Sequence, residues 1–263
     1  MSRLDEIAQD QRDEEEAASR RRVQRPRRAS VGASLVGGFG ELLITAGLLL
    51  GLFVVWQLWW TDVEGAREAD QAVSQFTEGL EVEIPEVAGQ ERTEEPPAEP
   101  EPVDLSGETF AALWVPDWGT DYRWPVAEGV SRPDVLDAGM VGHYPDTAMP
   151  GQVGNFSVAG HRQTYGRPFY DIDTLAAGDS VIVQTHTAWY VYKVTDHRIV
   201  LPTEIDVIAP VPGEPGVEAS EAMLTLTTCH PLWSTAERYI VHAQLDHWIP
   251  LEDGMPAELL EAS

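Results

Sequence analysis

Hydrophobic positions change their spacing along the chain, dividing it into an apolar run, a polar connector and a body with β-strand patterning. From Leu42 to Trp60 the residues read LLITAGLLLGLFVVWQLWW, nineteen positions without a charge. At about 1.5 Å per residue, a helix of that length crosses roughly 30 Å of hydrocarbon. Residues 42–60 are therefore expected to form one transmembrane helix. A secretory signal has a shorter apolar core, and no small-residue cleavage site follows Trp56, Trp59 and Trp60, which suit an aromatic belt at the outer interface.

Residues 61–82 are expected as a frayed helix, and residues 83–104, EIPEVAGQERTEEPPAEPEPVD, have almost nothing to bury. Proline and like charge make an extended, self-repelling spacer, so 61–107 is read as an acidic stalk. Residues 108–253 then carry short β-rich runs between Gly, Pro and Asp punctuation: FAALWVP, NFSVAG, DSVIVQT, AWYVYKV, HRIVL, MLTLTTC and RYIVHAQLDHW. Such runs favour a mostly β fold, a barrel or sandwich, with a few short helices such as one near Thr203–Val207.

Charge adds orientation and excludes one partner class. The chain has 17 Lys+Arg against 44 Asp+Glu, a formal net charge of −27. Residues 1–28 hold eight of the arginines, so only nine basic residues follow, and a nucleic-acid partner is not expected. Six arginines in RRRVQRPRR, at 20–28, precede the apolar run, whereas Asp62 and Glu64 follow it. The positive-inside rule keeps residues 1–28 as a charged cytoplasmic tail and exports everything after the helix. The expected location is the cell membrane, single-pass, with an extracellular C-terminal domain.

The one cysteine, Cys229, excludes an intrachain disulfide and a Cys-cluster zinc site. There is no HExxH, and Asp171-Ile172-Asp173 lacks EF-hand spacing, so neither a metal nor another cofactor is expected. Cys229 ends the strand-like Met223–Cys229, where period-2 alternation sets Leu224 and Leu226 on one face and Thr225, Thr227 and Cys229 on the other. A lone cysteine is ordinarily a small buried hydrophobe, and the threonine face argues against that here. On the next strand Tyr239, Val241, Ala243 and Leu245 share a face, which leaves Arg238 on the polar side. The two strands are neighbours joined by a loop, so both groups reach one groove. A thiol nucleophile needs an imidazole and an oxyanion donor. His143, His161, His186, His197, His230, His242 and His247 are all candidates, and spacing does not choose among them, although His161 opens a polar turn after Asn155–Ala159, where functional residues gather.

Taken together, TLTTC at 225–229, Arg238 on the following strand and His161 upstream resemble the sortases' TLxTC, downstream Arg and upstream His. The segments HYPDTAMPGQVGNFSVAGHRQTYGRPF (143–169) and TLTTCHPLWSTAERYIVHA (225–243) are similar to class E sortases of high-GC Gram-positive actinobacteria. The resemblance covers about residues 108–250. It implies a closed β-barrel of about eight strands in 108–253, acting as a membrane-anchored cysteine transpeptidase. Such an enzyme cuts an LAxTG- or LPxTG-like C-terminal sorting signal between Thr and Gly and passes the acyl group to a peptidoglycan-precursor or cell-wall amine. By the resemblance, Cys229 is the nucleophile, His161 the acid and base, and Arg238 the oxyanion donor, with Thr228 as a substrate contact and surface proteins as partners. Two rival readings use the same barrel: a pilin-polymerising sortase, and a wall-binding scaffold in which Cys229 is inert. His230, directly after the thiol, is a second imidazole able to perturb it.

Overall fold

The computed structural model describes residues 31–98, 107–119 and 121–261, and the tail at 1–28 lies outside them. The first element is α1, Val31–Glu78, a helix long and apolar enough to cross a membrane. Its residues from Leu42 to Trp56 that carry large apolar side chains present them outward.

Eight strands form the body: β1 Thr109–Trp114, β2 Arg123–Glu128, β3 Val141–His143, β4 Gly154–Ala159, β5 Ser180–Gln184, β6 Ala188–Val200, β7 Ala222–His230 and β8 Glu237–Pro250. They close into a barrel in the order β1-β2-β3-β4-β7-β8-β6-β5. The β2–β3 and β4–β7 pairs are parallel and the rest antiparallel. Closure follows from the alternation read in the sequence. Leu113, Val126, Phe156, Val158, Val183, Tyr190, Leu224, Leu226 and Val241 turn inward to one buried cluster, removing from water the faces that an open sheet would leave wet.

The runs AWYVYKV and HRIVL prove to be one strand, β6, bent by register shifts at Val191/Tyr192 and Val194/Asp196. Such shifts add twist, which a closing sheet needs. β2 and β3 do not stand out in the sequence because β2 contains Pro125 and β3 is three residues long. Pro125 pairs with β1, while only Val126, Ala127 and Glu128 pair with β3, so the residue without an N–H lies outside the parallel ladder. The helix expected near Thr203–Val207 is a 3-10 turn at Ile205–Ile208.

The compact unit that holds the barrel begins at Trp56 and takes in the described residues of the segment read as a stalk. Over its last four turns α1 buries Gly65, Ala69, Val73 and Phe76, one stripe at spacings of four and three. Val73 and Phe76 pack on Ala112, and Phe76 meets the ring of His186 edge-on at 4.5 Å. Beyond the helix, Arg92 exchanges two backbone hydrogen bonds with Trp248, each 2.9 Å. The Arg92 guanidinium pairs with Asp253 at 2.7 Å and lies over the Trp248 ring, whose Nε1–H donates to the Glu94 carbonyl. Apolar residues at helical spacing, and one arginine with a partner, hold this segment on the barrel despite its acidic composition.

Candidate active site

The site is assembled by the parallel pairing of β4 with β7. Ala159 pairs with Thr227, the Gly160 N–H donates to the Thr227 carbonyl at 3.1 Å, and Thr228 Oγ1 donates to the Gly160 carbonyl at 2.7 Å. Continued by two residues, that register sets His161 beside Cys229. On the other flank, β7 and β8 pair Cys229 directly with Arg238. Side chains of directly opposed strand residues share a face, about 5 Å apart at Cβ. Cys229, His161 and Arg238 accordingly line one groove of about 400 Å³, along with Arg132, Arg162, Tyr144 and Thr228. The thiol is half-buried.

Cationic charge concentrates here against the sign of the whole protein. Arg132, Arg162 and Arg238 are three of the nine basic residues beyond residue 28. The Arg238 guanidinium donates through Nη1 to the carbonyls of Thr235 and Glu237, at 3.0 and 2.9 Å, which anchors it to the loop between the strands. Arg162 is fully buried. It meets Asp173 at 2.9 Å, donates to His230 Nδ1 at 2.8 Å and lies over the Tyr239 ring. Burial, followed by the Asp173 charge, raises the Tyr239 phenol above its ordinary range while Arg162 opposes them, so the ring stays neutral.

His161 is held from two sides. Its Nε2 meets Asp137 Oδ1 at 2.7 Å, and its ring stacks on Tyr165 with centroids 5.2 Å apart. Asp137 follows a π-helical turn at Arg132–Leu136 and is also contacted by Arg132 at 3.5 Å. A carboxylate on Nε2 fixes the proton there and leaves Nδ1 to take up or give one, the division of labour seen wherever an orienting carboxylate backs an imidazole.

The other histidines are committed elsewhere. His143 binds Glu128 and Thr147 inside the barrel wall, His242 binds Thr225, and His247 binds Asp246. His197 stacks on Tyr239. His230 belongs to the Arg162–Asp173 network, so its ring serves the loop after β4. Among the described residues, no three His, Cys, Asp or Glu side chains are grouped to hold a metal ion. Sequence reasoning missed Asp137, Tyr165 and the buried Arg162. Only the turn-rich character of 161–168 hinted at the last two, and nothing flagged Asp137.

A thiol, a carboxylate-backed imidazole and a guanidinium around one groove can carry acyl transfer through a thioester. The sortase domain model matches residues 113–246, which contain all three. The chain belongs to the sortase family. Sortase SrtE1 of Streptomyces coelicolor is 38% identical over 93% of this chain, which spans 66% of that relative's length. The structure of the SrtA sortase from Actinomyces oris superposes with TM-score 0.60 at 43% identity, covering 64% of this chain and 96% of its own. Sortase E1 from Streptomyces coelicolor, solved with a tripeptide in the active site, gives TM-score 0.55 at 38% identity, covering 60% and 99%. The closed barrel of eight strands that the resemblance implies is therefore the fold of the family, with one long apolar helix ahead of it among the described residues.

Proposed function

We propose that this protein is a membrane-anchored class E-type cysteine transpeptidase. It acts on an extracellular LAxTG- or LPxTG-like C-terminal sorting signal and joins the carrier protein to a cell-wall or peptidoglycan-precursor amine. The observation that carries this reading is that the only thiol stands opposite Arg238 and, by the continued β4–β7 register, beside His161, in a groove that also holds Arg132 and Arg162.

In this reading the Cys229 thiolate attacks the Thr carbonyl of the signal, and the Arg238 guanidinium stabilises the oxyanion that forms. Collapse breaks the Thr–Gly bond, and His161 gives its proton from Nδ1 to the departing amine. The thioester on Cys229 is then attacked by the acceptor amine, whose proton returns to His161, and the thiolate is released. Thr228 is buried and its hydroxyl is spent on Gly160, so what it offers a peptide is backbone. Arginines at 20–28 and the helix at 42–60 support an inward N-terminus and an exported barrel.

The test is turnover of quenched LAxTG and LPxTG peptides by the full chain in detergent micelles, with and without a small amine, beside Cys229→Ala. Cysteine-dependent cleavage with amine-dependent ligation is expected. Absence of cleavage by folded protein whose thiol is barely alkylated would instead support the scaffold reading.

A further inference from the structure

Both side chains that hold His161 stand on loops that meet the backbone of α1 around Gly65. A methyl built on Gly65 would sit 2.6 Å from the Tyr165 carbonyl carbon and 2.8 Å from the Gly166 nitrogen. On the other side, a methyl on Gly139, two residues past Asp137, would sit 2.5 Å from the Gly65 carbonyl oxygen. A methyl on Gly166 would lie 3.0 Å from the Ala66 nitrogen. Three glycines thus let helix backbone meet two loop backbones where no side chain fits.

The loop on the far side is strained. Tyr165, Gly166 and Arg167 are consecutive left-handed residues, with φ of 54°, 81° and 60°. Non-glycine residues persist in that conformation only where their surroundings over-determine it. Here the surroundings are α1: Asp62 accepts a hydrogen bond from the Gly166 N–H and pairs with Arg167 at 3.3 Å, while Gly65 packs on the peptide between them.

We infer that Gly65 is a positioning residue for His161, the point at which the post-membrane part of α1 fixes the Asp137 and Tyr165 loops at once. The inference rests on the role proposed above for His161. Its consequence is that residues 61–78 are part of the working enzyme: a barrel separated from them keeps Cys229 and Arg238, which β7 and β8 hold between themselves, but loses the setting of the imidazole.

The test compares wild type with Gly65→Ala as full chains in micelles. Alanine is a better helix former than glycine, so a loss of function cannot come from a weakened helix. With substrate peptide, kcat is expected to fall about 10- to 100-fold, the scale of a catalytic group misplaced by an ångström, with KM within twofold. Gly51→Ala, where an added methyl meets nothing within 4 Å, is expected to match wild type. A second measurement needs no turnover: in ¹³C-labelled protein the His161 ring resonance carries the ring current of Tyr165. In Gly65→Ala it is expected to move toward its position in Tyr165→Leu. Unchanged kcat and an unmoved resonance overturn the inference and leave the proposed function standing. A wild type whose trace matches Cys229→Ala overturns the proposed function instead, and the resonance then decides the clamp alone: movement supports it, and none removes it.

Discussion

Thr228 donates its hydroxyl to the Gly160 carbonyl at 2.7 Å, and this single bond ties the residue before the thiol to the residue before His161. Thr228→Val keeps the shape and removes the donor, leaving a buried carbonyl unpaired. A loss of about 1–2 kcal/mol in unfolding free energy is expected, with kcat reduced more than KM is raised. Thr228→Ser should restore both, as read by thermal denaturation and peptide cleavage.

Cys229→Ala is expected to abolish cleavage with an unchanged melting temperature, since the thiol is half-buried and has no packing duty in the core cluster. Arg238→Lys tests the fork. A lysine keeps the charge but cannot donate to the loop carbonyls of Thr235 and Glu237 while also reaching an oxyanion, so kcat should fall about 10²- to 10³-fold.

Asp137→Ala leaves His161 stacked on Tyr165 without its carboxylate. A drop in kcat of about 10²-fold is expected, with KM little changed. Equal turnover would show that the stack alone orients the ring.

The sequence revealed the elements whose residues announce themselves by spacing. The two-residue period in 223–229 and 238–245 placed Leu224, Leu226, Tyr239 and Val241 inside and set Cys229 and Arg238 on the opposite face, as observed. Strands β2 and β3 were hidden, one by Pro125 and one by its length. A helix over 61–82 was expected and α1 runs to Glu78, but its packing stripe of Gly65, Ala69, Val73 and Phe76 was overlooked because acidic composition dominates that segment. Asp137 was invisible because its importance comes from a register between β4 and β7 and from a turn on another element, and neither is local in sequence. His161 was singled out by family resemblance, and the structure adds what holds it.

His242 supplies a pH prediction for stability. Asn155 Nδ2 donates to the carbonyls of Val207 and Ala209, so its Oδ1 faces Thr225, whose hydroxyl donates to it. His242 Nδ1 must then be the donor to Thr225 Oγ1, which leaves Nε2 a bare acceptor with no partner among the described residues. Burial pushes the imidazole below its ordinary range, with Asp196 pulling it up and Arg198 pushing it down, and Glu221 lines the same cavity. The unfolded chain therefore takes up a proton that the native state refuses as pH falls through about 6.5, and stability is lost in that window. The melting temperature should be lower at pH 5.5 than at 7.5, and His242→Phe should flatten the difference.

Phe76→Ala removes a ring packed between Ala112 and His186. A cost of roughly 3 kcal/mol is expected, at the lower end for a buried phenylalanine. Chemical denaturation of the full chain in micelles measures it; a value near zero would mean that the last turns of α1 contribute nothing to the barrel.

Closure of the barrel also restricts how a peptide is read. Each of the eight strands has a neighbour on both sides along its central residues, and an unpaired edge is left at the outer end of β6, where Asp196–Val200 pairs with β8 alone. A peptide lying over Cys229 meets mainly loops and side chains of the groove. Selection among substrates therefore falls to a few protruding groups, which can be exchanged by mutation without disturbing the ladder that keeps the thiol and the guanidinium in line.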